Sequence, residues 1–205
     1  MKSGLVDDQE LPVLRNSGNM TKVTTPNPPS SNVIRADSYD KLYTEQVGDR
    51  AFNFVMADKA LVHMAYEWEG RRLVRHRLVF LPSPHFVEFQ NDPDFYMREH
   101  LYADVVGVQG VAVPLRFDFD VRSDVATGLR HPPAHLTLGQ YPHCRIPVSA
   151  PVTPWVFVDF LIRHFYETPD MPPLGIRTVL DRRFDQTSTV DFSELVHVLS
   201  PGSRA

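Results

Sequence analysis

HPPAHLTLGQYPHCRIPVSAPVTPWVFVDFLIRHFY, residues 131–166, runs a proline-pinned, alternating segment straight into the most apolar helix pattern of the chain. Thr153-Pro154 is a helix start. Threonine can cap the free amides of the first turn, and proline suits the first helical position because its missing N–H would be unpaired there. From Trp155 to Tyr166 only Asp159, Arg163 and His164 interrupt the apolar and aromatic residues. Asp159 and Arg163 are four apart, so they share a face and can pair. A helix apolar on nearly all sides is expected to be enclosed by a core or covered by a partner. Phe160→Asp is therefore expected to unfold the domain, because it buries an unpaired charge. At one residue per 1.5 Å the segment is too short for a bilayer, which needs about 20 apolar residues. Thr168-Pro169 ends it.

Upstream, Pro132, Pro133, Pro142, Pro147 and Pro151 keep the backbone extended and restrict those positions to strand ends, edges or loops. His135 to Leu138 and Cys144 to Ile146 alternate polar and apolar residues, the pattern of short half-buried strands. Leu136, Leu138 and Ile146 are expected to face the core, and His135, Thr137 and Arg145 the other side. Toward the N-terminus the same alternation recurs. Ala51 to Ala57 carries Phe52, Phe54 and Met56 on one side. The runs Ala60–Trp68 and Leu73–Leu81 flank Glu69-Gly70 and read as a β-hairpin. Val111 to Val121 is the clearest strand: Val111, Val113, Leu115, Phe117, Phe119 and Val121 on one face, and Arg116, Asp118 and Asp120 together on the other. Ser38 to Val47 suits a short helix or an irregular entry, and Val190 to Leu199 fits a helix or a strand. Antiparallel strand patterns followed by one buried helix predict an α+β fold, a mainly antiparallel β-sheet with helices packed on one face.

The 205 residues suffice for one domain plus a tail. Thr24 to Asn32, TTPNPPSSN, reads as a linker too poor in apolar residues to order itself. The expected division is a flexible tail over residues 1–38 and a single α+β domain over 39–205. Apolar residues make up 42% and aromatics 11% of the chain, enough for a packed core. The net charge of −4 argues against a broad nonspecific nucleic-acid surface but allows a local basic groove. The start MKSGLVDDQELPVL lacks the apolar core of a secretory signal, and the single cysteine forms no internal disulfide. Both fit a cytoplasmic protein, with no membrane association expected.

The spaced series VHMAYEWEGRRLVRHRLVFLPSP (62–84), RFDFD (116–120), HPPAHLTLG (131–139), CRIPV (144–148) and TPWVFVDFLIRHFY (153–166) resembles an uncharacterised bacterial and archaeal family, domain-of-unknown-function family 2290. The resemblance covers the chain from about Tyr39 to the end of the apolar helix. It implies no established activity; it implies a setting beside bacterial defence or mobile-element genes.

Three readings of the polar residues compete. In the first, Asp118, Asp120, His131, His135 and His143 supply oxygen and imidazole ligands for a divalent metal, with Arg116 and Arg145 beside them to hold a phosphate. That set would serve metal-dependent phosphodiester hydrolysis. In the second, the face binds nucleic acid or a nucleotide without chemistry, helped by Arg75 and Arg77 of the basic hairpin and by nearby Tyr66 and Trp68. In the third, His131 and His135 orient a turn through backbone or Asp118 and Asp120, while Arg116 and Arg145 balance the carboxylates. Cys144 is expected to be a core cysteine, since adjacent His143 would point to the opposite face of a strand. No phosphate-binding glycine loop, paired CxxC or GxSxG elbow is present. The expected function is an accessory protein of a bacterial multi-protein system, with a protein partner on the tail or hairpin face. The alternative is a metal-dependent nuclease. No cofactor is predicted; a divalent metal is what the alternative would require.

Overall fold

A computed structural model describes residues 5–29, 38–84, 113–122, 132–141, 143–166, 184 and 197–200. Among these are nine strands, β1 (Val6–Gln9), β2 (Val13–Ser17), β3 (Met20–Thr24), β4 (Phe54–Met56), β5 (Leu61–Glu69), β6 (Arg72–Leu81), β7 (Leu115–Asp120), β8 (Ala134–Leu138) and β9 (Ile146–Pro147). Two helices join them, α1 (Tyr39–Gly48) and α2 (Pro154–Phe165). All strands lie in one sheet of order β1-β4-β5-β6-β7-β8-β9, with β3 on β5 and β2 on β3. Every pairing between named strands is antiparallel. This is the expected α+β fold.

The β5–β6 hairpin is the spine. Its turn follows Glu69, and Gly70 sits at φ +57°, a left-handed conformation that side chains disfavour. The strands pair from Leu61↔Leu81 to Glu69↔Arg72, with one irregularity at Glu67/Trp68. On its outer edge β5 is shared. β4 pairs with Leu61 and Val62, and β3 pairs with Tyr66 to Glu69. Buried Asn53 fills the fork: its N–H donates to the Val62 carbonyl (2.7 Å), and its side-chain oxygen accepts from the Met64 N–H (2.7 Å).

That fork corrects the expected tail over 1–38. Residues 6–24 supply three strands, and Leu5 belongs to the main core. Polar residues dilute the alternation of these strands, so their own pattern is weak. The open edges of β4 and β5 supply the backbone partners that the segment cannot supply itself.

The two sheet faces differ. Val62 and Tyr66 of β5, Leu78 and Phe80 of β6, Leu115, Phe117 and Phe119 of β7, and Ala134 and Leu136 of β8 form one cluster with Phe157, Leu161 and Tyr166. α2 therefore lies on this face. Thr153 caps it, accepting from the Val156 N–H, with proline in the first turn as expected. The helix is not enclosed on all sides. Only Phe157 and Leu161 within it are buried, and Phe165 is 39% exposed, because one stripe of the helix meets the sheet. On the opposite face α1 contributes Tyr43 to a smaller cluster with Phe52, Leu61 and Leu81, at one end of the hairpin, so the two helices do not share one face as expected. Leu138, expected in the core, is 36% exposed. β9 pairs only with His135 and Leu136, so the sheet has no further neighbour at Leu138. Of 190–199, Val198 forms a parallel bridge to Val148; the rest of the undecided helix-or-strand segment lies outside the described residues, apart from His197 and Leu199.

Candidate functional site

The side of the sheet opposite α2 carries the polar residues, because alternate positions of each strand point there. The antiparallel register lines them up in rows across the strands. Glu67, Arg75 and Asp120 make one row; Ala65, Arg77, Asp118 and His135 the next; His63, Val79, Arg116 and Thr137 the third. Tyr66 and Trp68, stacked at 5.7 Å between ring centroids, are on the other face. Neither ring is therefore beside Arg75 and Arg77, which corrects the expected aromatic contribution to a nucleic-acid surface.

Asp118 is the hub of the middle row. Arg77 Nε donates to one carboxylate oxygen at 3.0 Å, Arg116 Nε meets the other, and His135 Nε2 is 3.8 Å from it. Burial alone would raise the Asp118 pKa, but Arg116 and Arg77 outweigh it and hold the carboxyl below its ordinary value. His135 is buried, and its Nδ1 lies 3.0 Å from the Pro132 carbonyl oxygen. Asp120 sits at the rim. It accepts from Arg122 Nε at 2.8 Å and lies 3.7 Å from Arg75 Nε. Burial opposes ionisation there too and is outweighed, first by the Arg122 hydrogen bond, so its pKa is also lowered. Glu67 pairs with Lys22 at 3.1 Å and Arg75 at 3.7 Å.

Three of the expected metal ligands, Asp118, Asp120 and His135, thus have other partners. Both Asp118 oxygens face guanidinium groups, Asp120 is engaged by Arg122, and His135 is bonded to the turn at Pro132. Among the described residues no group of three or more His, Cys, Asp or Glu side chains is placed to hold a metal ion. His131 lies outside the described residues. His143 is exposed on the turn before β9. Cys144 is half-buried rather than a core residue; its sulfur accepts from the Leu138 N–H at 3.4 Å, which ties it to the end of β8.

The expected family resemblance can be tested against the whole chain. The family model for an uncharacterized conserved protein (DUF2290) matches residues 5–200. The chain belongs to the DUF2290 family. No curated protein and no solved structure matches it. The match begins at residue 5 and so takes in β1 to β3 as well as the part that carried the resemblance. Among the described residues no helix of this DUF2290 protein is long and apolar enough to cross a membrane.

Sequence reasoning missed three residues of the DUF2290 sheet. His76 is fully buried between Tyr66 and Phe119, and its Nε2 accepts from the Val152 N–H at 3.0 Å. Tyr66 donates its hydroxyl to the Val152 carbonyl at 2.9 Å. Both backbone groups of the residue before the α2 cap are thereby fixed by hairpin side chains. Burial pushes the His76 pKa down to about 4, which keeps the ring an acceptor. His63, on the polar face, is also pushed down to about 4, by burial and then by Arg77 and Lys22. Thr137 is 5% exposed, and its hydroxyl has no hydrogen-bond partner among the described residues. A polar residue in an otherwise half-buried strand pattern was the only signal available for His63 and Thr137.

Proposed function

We propose that this DUF2290 protein is a non-catalytic accessory component of a bacterial, defence-related multi-protein system in the cytoplasm, and that its polar sheet face binds nucleic acid or a nucleotide. One observation carries the reading. Arg77 and Arg116 flank a single carboxylate, Asp118, and Arg145 is near enough to Arg116 to repel its charge. Arg116 is depressed by burial first, and Arg77 and Arg145 act on it in the same direction. Three guanidinium groups with one buried carboxylate leave positive charge unbalanced in a protein of net charge −4. Phosphate groups supply what that local surface lacks. The metal-dependent nuclease reading has weaker support, because the carboxylate it needs is already committed to arginines.

The test is fluorescence anisotropy with labelled single-stranded and duplex oligonucleotides across a salt series. Arg75 and Arg77 on the face should give binding that weakens steeply as salt rises. The double variant Arg75→Ala/Arg77→Ala should flatten that slope. Undetectable binding at low salt, or a slope unchanged in the folded double variant, would overturn the reading.

A further inference from the structure

We propose that Arg116, Thr137 and Arg145 form a recess for one terminal phosphate group, so that the ligand of this face is a phosphomonoester: a nucleotide or the phosphorylated end of a strand. The inference rests on the anion-binding reading above and names its ligand class.

The register places the three side by side. Arg116 on β7 pairs with Thr137 on β8. β8 pairs with β9 at Leu136↔Ile146, and Arg145 precedes Ile146, so the next step in this antiparallel register sets Arg145 beside Thr137. Alternation puts Arg116 and Thr137 on the polar face. The proximity of the two arginines is felt electrostatically, since Arg145 makes Arg116 harder to protonate. A hydroxyl thus sits between two guanidinium groups.

Each member is short of a partner. The Thr137 hydroxyl is buried and unbonded among the described residues, which is costly unless something fills its hydrogen-bonding capacity. Arg116 forms an ion pair with Asp118 through Nε, yet that buried N–H makes no well-directed hydrogen bond among the described residues. Arg145 has no carboxylate partner among them either. A row that combines one neutral donor with two guanidinium forks suits the oxygens of a phosphate. Depth selects which phosphate. The Arg116 side chain is 18% exposed and the Thr137 hydroxyl is closed to water, so the row must part to admit a group and admits it end-on. An internal phosphodiester carries an ester on both sides and one negative charge. A terminal phosphate presents three free oxygens and a charge of about −1.5 to −2 at neutral pH, which matches two guanidinium groups. His135 and Asp118 occupy the adjoining row and complete the wall, with the Asp118 charge spent on Arg77 and Arg116.

The experiment compares wild type with Thr137→Val, which keeps the shape and strand propensity and removes only the hydroxyl. Anisotropy is read with oligonucleotides carrying a 5′-phosphate, a 3′-phosphate or hydroxyl ends, and with a nucleoside monophosphate as competitor. Melting temperature is read with and without inorganic phosphate. Wild type should bind a phosphorylated end about tenfold more tightly than a hydroxyl end, the scale of one hydrogen bond to a charged group. Thr137→Val should lose that preference, keep the salt-dependent binding of hydroxyl-ended strands, and melt no lower than wild type in the absence of ligand. Competition by the monophosphate identifies a nucleotide as a sufficient source; competition by phosphorylated ends alone identifies the strand end. Equal binding of all strands by wild type would overturn the recess while leaving the nucleic-acid reading intact. Stabilisation by inorganic phosphate that Thr137→Val abolishes, with no oligonucleotide bound, would uphold the recess and sink the nucleic-acid reading. A preference that persists in Thr137→Val, or no response to any phosphate, would overturn the inference.

Discussion

The same strands build two unlike surfaces. On the α2 side, β6 and β7 present His76, Leu78, Phe80, Phe117 and Phe119, all buried. On the other side the alternate residues are Arg75, Arg77, Arg116, Asp118 and Asp120, partly buried and paired across the strands. The apolar face gains stability from each contact independently, because burial of hydrocarbon is non-directional. The polar face is stable only as a set, because each charge depends on its neighbour to offset the loss of water. Its even-handed burial with an excess of arginine is what makes it the candidate binding surface.

The largest effect that tests this contrast is expected at Phe157, which is 0% exposed against Phe117. Phe157→Asp should leave no cooperative unfolding transition, and Phe157→Ala should cost about 3–5 kcal/mol in urea denaturation. Phe160, the position expected from the sequence to be critical, is only partly buried, so Phe160→Asp should be milder than Phe157→Asp. The reverse ranking would mean that α2 is seated by its other stripe.

Next is Asp118. Its removal leaves Arg77 and Arg116 facing each other in a half-buried site, and Asp118→Ala should cost about 3 kcal/mol. Adding phosphate should restore part of that loss if the face is an anion site. A variant as stable as wild type would show that the arginines reach water without it.

Acidification probes both faces at once. His63 and His76 have folded-state pKa values of about 4, below the unfolded value of about 6.5. The unfolded chain therefore binds the extra protons between pH 6.5 and 4, and stability falls as pH falls through that window. Each histidine accounts for up to about 3 kcal/mol by pH 4, after which its contribution levels off. Melting temperature followed from pH 7 to 4 should show the decline, and His76→Gln should make it shallower. An unchanged profile in that variant would mean that His76 is not held neutral.

The smallest effect is expected at the rim. Arg122, the main partner of Asp120, is half exposed, where water screens the pair, so Asp120→Ala should cost less than about 1 kcal/mol, well below Asp118→Ala. Equal losses at the two positions would erase the distinction between hub and rim.

Local pattern alone specifies the strands β5 to β8, the hairpin turn at Gly70, the capped start of α2 and the pooling of Arg116, Asp118 and Asp120 on one face. Those features follow from local rules: a two-residue period, a glycine conformation, a threonine-proline cap. Tertiary structure alone decided the rest. Residues 6–24 became strands because the edges of β4 and β5 needed partners, and their own diluted pattern does not show that pairing. Asp118 became an arginine partner because register brought Arg77 of another strand opposite it. Thr137 was set beside Arg116 by the same register. Periodicity tells which way a side chain points; only the pairing of distant strands tells what it meets.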